Sequence, residues 1–154
     1  MALAYRLTLP RRLANALVTP LVRLGLPPRD AHLLTTIGRK TGRRYTTPVN
    51  LVEHGGERWL VAPYGEREWV KNARAAGWVE LRRGRRTQRV EVAEVPPAER
   101  APVLRSYVRA VPITRRFFDA GHDATLEAFA AEAARHPVFR LKPSVGQAIR
   151  SDAR

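Results

Sequence analysis

The segment of the chain best suited to chemistry is a glycine-flanked turn that carries four cations. Residues 35–44 read TTIGRKTGRR, and residues 45–49, YTTPV, follow at once. Glycine lets a backbone approach a ligand closely, and Lys and Arg heads neutralise negative charge, so the turn suits an anionic group. The spacing differs from that of a phosphate-binding P-loop and of a dinucleotide-binding G-x-G-x-x-G. A solvated basic hairpin turn is the alternative interpretation.

A second candidate segment lies where a strand passes through Pro and Gly into a helix. Residues 62–72 read APYGEREWVKN. A helix N-terminus beside a glycine turn offers free backbone N–H groups to an anion or a polarised carbonyl. The Tyr64 hydroxyl is a candidate hydrogen-bond or proton donor, and packing at a barrel rim is its alternative role. Trp69 is either a core anchor or a stacking platform.

The usual residues of hydrolytic and metal catalysis form no pattern in this chain. There is no cysteine, no G-x-S-x-G elbow and no H-E-x-x-H spacing. The four histidines are scattered along the sequence, and the acidic residues form no pair at a spacing that suggests acid–base work. We therefore predict no metal site. A protein without its own nucleophile or metal can take its chemistry from an organic cofactor.

The formal net charge of +14 calls for an anionic partner. Nucleic acid, an anionic membrane and an anionic cofactor would all be favoured by it. A nucleic-acid-binding module built on residues 39–44 and 82–89 is one hypothesis, but few aromatic residues interleave these basic runs, and no nucleic-acid-binding motif is present. No nucleic-acid partner is expected. The dominance of arginine is also consistent with genomic base composition.

The pattern of the chain predicts short strands joined by hairpins, with helices at both ends. Residues 11–25 have the periodicity of an amphipathic helix, broken by Pro20, that either packs on the core or contacts an anionic membrane. The further predicted elements are strands over residues 32–37, 46–54, 58–62, 78–81 and 87–95, helices over residues 66–76, 96–110 and 125–135, and a short turn over residues 115–119.

These elements indicate an α+β fold, a small antiparallel barrel or sheet capped by helices. We divide the chain into an N-terminal helical segment (1–28), a barrel domain with C-terminal helices (29–142) and a tail (143–154). The sequence has no run of 18 apolar residues, so we expect no transmembrane helix. The N-terminus lacks the features of a signal peptide. A cytoplasmic protein is expected, with peripheral membrane contact through the N-terminal helix as an option.

At these two segments the chain resembles the deazaflavin-dependent nitroreductases, also called the coenzyme F420-dependent quinone reductases. The similarity runs in order from about residue 30 to residue 142, and the T-x-G-R-K-T-G element followed by T-x-P is its most specific part. The matching stretches are LLTTIGRKTGR (33–43), RYTTP (44–48), WLVAPYG (59–65), WVKNARAAG (69–77) and FAAEAARHPVFRL (129–141).

The resemblance implies a split β-barrel of the FMN-binding type that holds F420, a deazaflavin with a phosphate and an oligoglutamate tail. FMN is the alternative cofactor, although it lacks the acidic tail. In this family the cation-rich turn holds that tail, the next strand lines the cofactor groove, and the second segment approaches the ring or the phosphate. The implied cofactor-binding residues are Arg39, Lys40, Thr41, Gly42, Arg44, Thr46, Thr47, Pro48, Val49, Ala62, Pro63, Tyr64, Gly65, Trp69 and Asn72.

The activity implied is hydride transfer from reduced F420 to an electron-poor small molecule such as a quinone, an enone or a nitro compound. Tyr64 is the candidate proton donor. The chain differs from the best-known nitroreductase branch at Pro63 and Tyr64, where that branch has a Ser and a Lys. A non-catalytic deazaflavin- or flavin-binding protein is the alternative. Either a monomer or a homodimer is compatible with the sequence.

Overall fold

A six-stranded antiparallel barrel forms the centre of the computed structural model, which describes residues 31–142. The strands close in the order β1-β2-β3-β6-β5-β4, and every neighbouring pair is antiparallel. The strands are β1 (Ala31–Ile37), β2 (Arg44–His54), β3 (Glu57–Val61), β4 (Trp78–Arg83), β5 (Arg86–Glu94) and β6 (Val138–Leu141).

The barrel interior is apolar because alternate residues of each strand point inward. Leu34, Leu60 and Phe139 are at most 1% exposed and belong to one buried cluster with members from all six strands. Helix α1 (Glu68–Ala76) adds Val70 and Ala73 to the same cluster, so it covers one end of the barrel. We call this the helix end.

A second apolar core lies between the outer face of the barrel and the C-terminal helices α2 (Ala101–Ala110) and α3 (Leu126–Glu132). Leu104 and Phe129 are fully buried there, against Trp59 of β3. Single-turn 3₁₀ segments at Pro97–Glu99 and Ala133–Arg135 and a longer one at Pro112–Phe117 connect these elements. The C-terminal helices thus form a second layer beside β2 and β3.

The predicted fold class is confirmed by this architecture, and most predicted elements are present with shifted ends. The helix predicted over residues 66–76 begins at Glu68, and the one predicted over residues 96–110 begins as the 3₁₀ turn Pro97–Glu99 before α2. The helix predicted over residues 125–135 turns into a 3₁₀ segment after Glu132. Strand β6 was not predicted. The N-terminal helix over residues 11–25 and the tail over residues 143–154 lie outside the described residues. Within residues 31–142, no helix is long and apolar enough to cross a membrane.

Candidate active site

A cleft of about 390 Å³ runs along β2 at the helix end of the barrel. One wall is the first half of β2, and the opposite wall is the segment that joins β3 to α1. The second layer closes the cleft from the side. The residues that line it are Tyr45, Thr46, Thr47, Pro48, Val49, Asn50, Val61, Pro63, Tyr64, Glu66, Arg67, Glu68, Trp69, Tyr107, Ile113 and Thr114.

The cation-rich turn between β1 and β2 adjoins this cleft, because Tyr45 and Thr46 follow it directly. Gly38 donates its N–H to the Arg43 carbonyl at 2.7 Å and accepts from the Gly42 N–H at 2.8 Å. A Cβ at Gly38 would lie 2.5 Å from Thr41 Oγ1 and 2.8 Å from the Tyr45 ring, so any larger residue would force these side chains to move. The turn therefore presents its four cations from a compact backbone.

Arg39 of the turn is bound within the protein. Its backbone N–H and its Nη1 both donate to Asn72 Oδ1, at 3.1 and 3.0 Å, and Nη1 also lies 2.9 Å from Glu68 Oε2. Asn72 is 3% exposed, and its Nδ2 donates to Thr36 Oγ1. These contacts attach the turn to α1, and the hydrogen bond from Arg39 is the main reason that the pKa of Glu68 is lowered.

Arg44 is also paired, whereas two other cations of the turn are not. Arg44 Nη2 lies 2.6 Å from Glu80 Oε1 of β4. Lys40 and Arg43 are exposed, and neither side chain makes an ion pair with any residue between 31 and 142. A charge that lacks an internal partner is the one most available to an anionic ligand. Lys40 and Arg43 are thus the cations that this turn offers to a ligand.

The loop from Ala62 to Gly65 is held from behind by the segment that precedes β6. Ala62 donates its N–H to the Pro137 carbonyl at 2.9 Å, and Gly65 donates to the Ala62 carbonyl at 3.2 Å. Gly65 has φ 84°, and a Cβ there would lie 3.3 Å from the Arg135 carbonyl. This backing places Pro63 and Tyr64 at the wall of the cleft.

Two tyrosines and one exposed isoleucine form the side of the cleft nearest the second layer. The Tyr64 ring meets Phe117 edge to face, with 4.7 Å between ring centroids. Tyr107 is 2% exposed, and burial raises its pKa. Ile113 is 70% exposed at the rim of the cleft. An apolar surface with two phenolic hydroxyl groups results.

A buried histidine–carboxylate pair lies behind the loop. His136 Nε2 lies 2.9 Å from Glu132 Oε1, and the two residues are 4% and 2% exposed. Phe118 stacks on the His136 ring at 4.2 Å between centroids. Burial lowers the pKa of His136, and the hydrogen bond with Glu132 opposes this effect. The folded protein therefore disfavours a proton on His136.

This lowered pKa predicts a loss of stability in mild acid. The unfolded chain binds a proton at His136 near pH 6.5, whereas the folded chain binds it only at lower pH. The contribution of neutral His136 to the free energy of unfolding is complete above about pH 6.5. It decreases as the pH falls from there through the pKa of His136 in the folded protein. Urea denaturation between about pH 7.5 and 5.5 measures it. His136→Gln should remove most of the pH dependence in this window, and an unchanged slope would contradict the assignment.

The structure brings together seven of the residues that the sequence singles out for the cofactor. Thr46, Thr47, Pro48, Val49, Pro63, Tyr64 and Trp69 all line the cleft. Eight others are outside its lining: Arg39, Lys40, Thr41, Gly42 and Arg44 lie in or just after the turn, Ala62 and Gly65 support the loop, and Asn72 holds Arg39.

Other lining residues were not among the predicted site residues. Tyr107, Ile113 and Thr114 belong to the second layer, and Glu66, Arg67 and Glu68 precede or begin α1. Glu66, Arg67 and Glu68 lie within the second candidate segment, residues 62–72. The spacing of Tyr107 on its helix is a further signal, since buried positions of α2 recur three or four residues apart.

The family model of the F420H₂-dependent quinone reductases matches residues 11–126, which is most of the chain. This chain belongs to that family. It is an oxidoreductase that uses reduced coenzyme F420, and its substrate is a small-molecule acceptor. The resemblance of the turn and the second segment to this family is thereby confirmed. No curated protein matches the chain at a significant level.

Solved structures with the same fold include an F420H₂-dependent reductase, FDR-A. It is 24% identical, the match covers 74% of this chain and 95% of that one, and the TM-score is 0.51. A chain described as a domain-swapped dimer is 20% identical over 86% and 99% of the two chains, with a TM-score of 0.52. A NimC/NimA family protein from Clostridium acetobutylicum is 16% identical over 86% and 81%, with a TM-score of 0.51. At these identities the likeness concerns the fold.

The cleft of this quinone reductase family member has the chemistry that F420 requires. Its volume of about 390 Å³ lies within the usual range of small-molecule pockets. Val49, Pro63 and Trp69 offer apolar contact to a flat ring, and Thr47, on the same face of β2 as Val49, offers a hydroxyl group. The Thr46 hydroxyl is hydrogen-bonded to Thr35 Oγ1 at 2.8 Å. The exposed cations of the turn stand beside the strand that forms this wall. The residues present therefore fit a deazaflavin with an anionic tail.

Proposed function

We propose that this protein reduces a quinone in the cleft between β2 and the Tyr64 loop. The observation that carries the proposal is the arrangement of that cleft, which has a hydroxyl-bearing strand on one side and two tyrosines with an apolar rim on the other. Such an asymmetric cleft suits a cofactor ring on the strand side and a flat acceptor on the tyrosine side. Bound F420 in its reduced form supplies a hydride to the acceptor.

The protein's own residues then bind and orient the two reactants. Lys40 and Arg43 attract the phosphate and glutamate tail, because both cations are exposed and form no ion pair with residues 31–142. Thr47 and Val49 line the cleft from one face of β2, and Trp69 is held in place by its contact with Phe139, at 6.1 Å between ring centroids. Holding two reactants in a fixed orientation is itself a large part of catalysis in such a reaction.

Tyr64 is the proton donor in this proposal. Conversion of a quinone to a hydroquinone consumes one proton in addition to the hydride, and Tyr64 lines the cleft near its opening. Tyr107 is a poorer candidate, because it is almost fully buried and burial raises its pKa. The proton lost by Tyr64 returns from solvent, to which this residue is partly exposed.

An acceptor panel tests the proposal directly. Reduced F420 is mixed with the full chain and with a soluble naphthoquinone, a cyclic enone or a nitroimidazole, and F420 oxidation is followed by its absorbance. Turnover of the naphthoquinone well above the other two acceptors is expected. Preference for the enone or the nitroimidazole would overturn the choice of acceptor, and F420 binding without turnover of any acceptor would indicate a cofactor carrier.

Tyr64→Phe is expected to lower kcat about tenfold while F420 binding stays within about twofold of wild type. General acids usually contribute at least a hundredfold, but water reaches this cleft and can replace the phenol. Stopped-flow oxidation of reduced F420 by the naphthoquinone measures the change. Tyr107→Phe is the matched control, since it removes the other phenol of the cleft, whose pKa is raised by burial. An equal loss in both variants would show that neither phenol is the proton donor.

Two further features of the protein remain predictions. The domain-swapped dimer among the similar structures favours a homodimer over a monomer for this chain. Peripheral membrane contact through the predicted N-terminal helix is the other, and the residues concerned lie outside the described range.

A further inference from the structure

The barrel end opposite α1 is lined by cations. We call it the arginine end. Strands β1 and β4 extend from one end of the barrel to the other. Ala31 begins β1 and Arg83 ends β4, so both lie at the end away from α1. There Arg83 Nη1 donates to the Ala31 carbonyl at 2.7 Å. A small cavity of about 30 Å³ opens at this end. It is lined by His32, Arg58, Leu81, Arg83, Arg86 and Gln88.

The pleat of the strands explains why these cations converge. Arg58 stands two residues before Leu60, and Gln88 two residues before Val90, and both of those apolar side chains belong to the interior cluster. Side chains two residues apart on a strand share a face. The interior faces of β3, β4 and β5 therefore end in Arg58, Arg83 and Arg86 where the barrel opens.

Arg58 and Arg86 have no carboxylate partner among residues 31–142. Arg58 stands opposite Glu53 in the ladder between β2 and β3, yet the two side chains form no ion pair. The nearby carboxylate of Glu57 pairs instead with Arg140 on β6, at 3.4 Å. Similarly charged groups gathered without a counter-ion repel one another, so this arrangement favours the arrival of an anion.

An amide completes the cavity. Gln88 is partly buried, and its Oε1 lies out of contact with solvent and has no hydrogen-bond partner in the described structure. A buried polar atom of this kind is usually satisfied by a water molecule or a ligand. A hydrogen phosphate ion has both features that the cavity lacks: negative oxygens for the guanidinium groups and an O–H that can donate to the Gln88 carbonyl.

We propose that the arginine end is a second anion site, which binds a phosphate group. None of its lining residues is shared with the cleft. The ligand is inorganic phosphate or the terminal phosphate of a larger molecule such as an anionic lipid. Nucleic acid is disfavoured, because the cations converge on one small cavity and no Phe, Tyr or Trp side chain lines it for base stacking.

Titration of the full chain with inorganic phosphate at constant ionic strength tests the site. Because Lys40 and Arg43 can attract phosphate as well, all variants carry Lys40→Gln and Arg43→Gln as a common background. In this background phosphate should raise the melting temperature and chloride should not. Arg86→Gln is expected to weaken phosphate binding about tenfold, as the loss of one charge-assisted hydrogen bond implies.

Two further variants separate a site from a general effect of charge. Gln88→Glu places a carboxylate between Arg58 and Arg86, so it should abolish phosphate binding without lowering the melting temperature of the phosphate-free protein. Arg82→Gln is the matched control, since Arg82 is exposed and its Nε donates to the Gly84 carbonyl at 3.0 Å. Equal losses in the Arg82 and Arg86 variants, or equal effects of phosphate and chloride, would overturn the proposal.

The source of the phosphate is distinguished with vesicles. Binding to phosphatidic acid vesicles that inorganic phosphate displaces, and that is absent with phosphatidylcholine, would support the site and identify a lipid headgroup. Phosphate binding without vesicle binding would support the site and identify a free phosphate compound. Oligonucleotide binding that the Arg82 and Arg86 variants weaken equally, with no response to phosphate, would overturn the proposal.

Discussion

Replacing Lys40 and Arg43 together by glutamine is expected to weaken F420 binding about 100-fold, the largest functional effect that we predict. Each charge-assisted hydrogen bond to an anionic tail contributes about 1.5 kcal/mol, and about 1.4 kcal/mol changes a binding constant tenfold. Both residues are exposed and unpaired among the described residues, so glutamine leaves no buried group unsatisfied. Fluorescence titration of F420 measures the loss.

The dependence on salt distinguishes an electrostatic role from a change in the shape of the turn. Wild-type affinity should fall steeply between low salt and about 0.5 M salt, whereas the double variant should respond weakly, because screening acts on the charges that were removed. Arg85→Gln, at the exposed tip between β4 and β5, is the matched control and should bind F420 like wild type. If the double variant and the Arg85 variant bind equally well, the tail lies elsewhere.

Arg39 provides the contrast within the same turn. Arg39→Gln removes contacts with Glu68 and Asn72, so it should loosen the attachment of the turn to α1. The sequence alone places Arg39, Lys40 and Arg44 in one group by residue type and spacing. It cannot separate them, because the carboxylates that engage Arg39 and Arg44 lie 29 and 36 residues further along the chain. Only the closed barrel brings β4 and α1 beside the turn.

The fold follows from the sequence where the signals are local. Gly55 and Gly56 mark the hairpin between β2 and β3, and both adopt positive φ; Gly77 ends α1 in the same left-handed region. Strand β6 has only four residues and no turn signal of its own, and it exists because it pairs with β3 and β5 to close the barrel. Such long-range pairing leaves little trace in a local pattern.

The tyrosine side of the cleft could not be predicted from the sequence, for a related reason. Tyr107 and Thr114 read as ordinary residues of α2 and the turn after it, and their place beside the cleft depends on how the second layer packs on β2 and β3. The strand side was predictable, since Thr46, Thr47 and Pro48 follow the turn directly in sequence. Contiguous parts of a site are thus visible in the sequence, and parts from separate elements are not.

Glu132→Ala is expected to lower the free energy of unfolding by about 4 kcal/mol, the largest stability effect that we predict. Glu132 is 2% exposed, and its carboxylate accepts from the Ala120 N–H at 2.7 Å, the Asp119 N–H at 3.2 Å and His136. Alanine would leave these donors without an acceptor, and each buried unsatisfied group is costly. Urea denaturation at pH 7.5 measures the change, at a pH where His136 is neutral in the folded and the unfolded state.

Two controls make the Glu132 result interpretable. Glu127→Ala removes an exposed carboxylate from the first turn of the same helix, where it should cost less than about 1 kcal/mol. Glu132→Gln retains one acceptor oxygen and should lie between wild type and alanine. Equal destabilisation by the Glu127 and Glu132 variants would mean that helix propensity, not the buried network, is responsible.

The Glu132 network should also influence the cleft without contacting it. Glu132 holds His136, and the neighbouring Pro137 carbonyl accepts the hydrogen bond from Ala62 that supports the Tyr64 loop. The folded fraction of the Glu132→Gln variant should therefore show a raised KM for the quinone. Its F420 affinity should have the same salt dependence as wild type, because Lys40 and Arg43 are unchanged. A KM equal to that of wild type would mean that the loop does not depend on the network behind it.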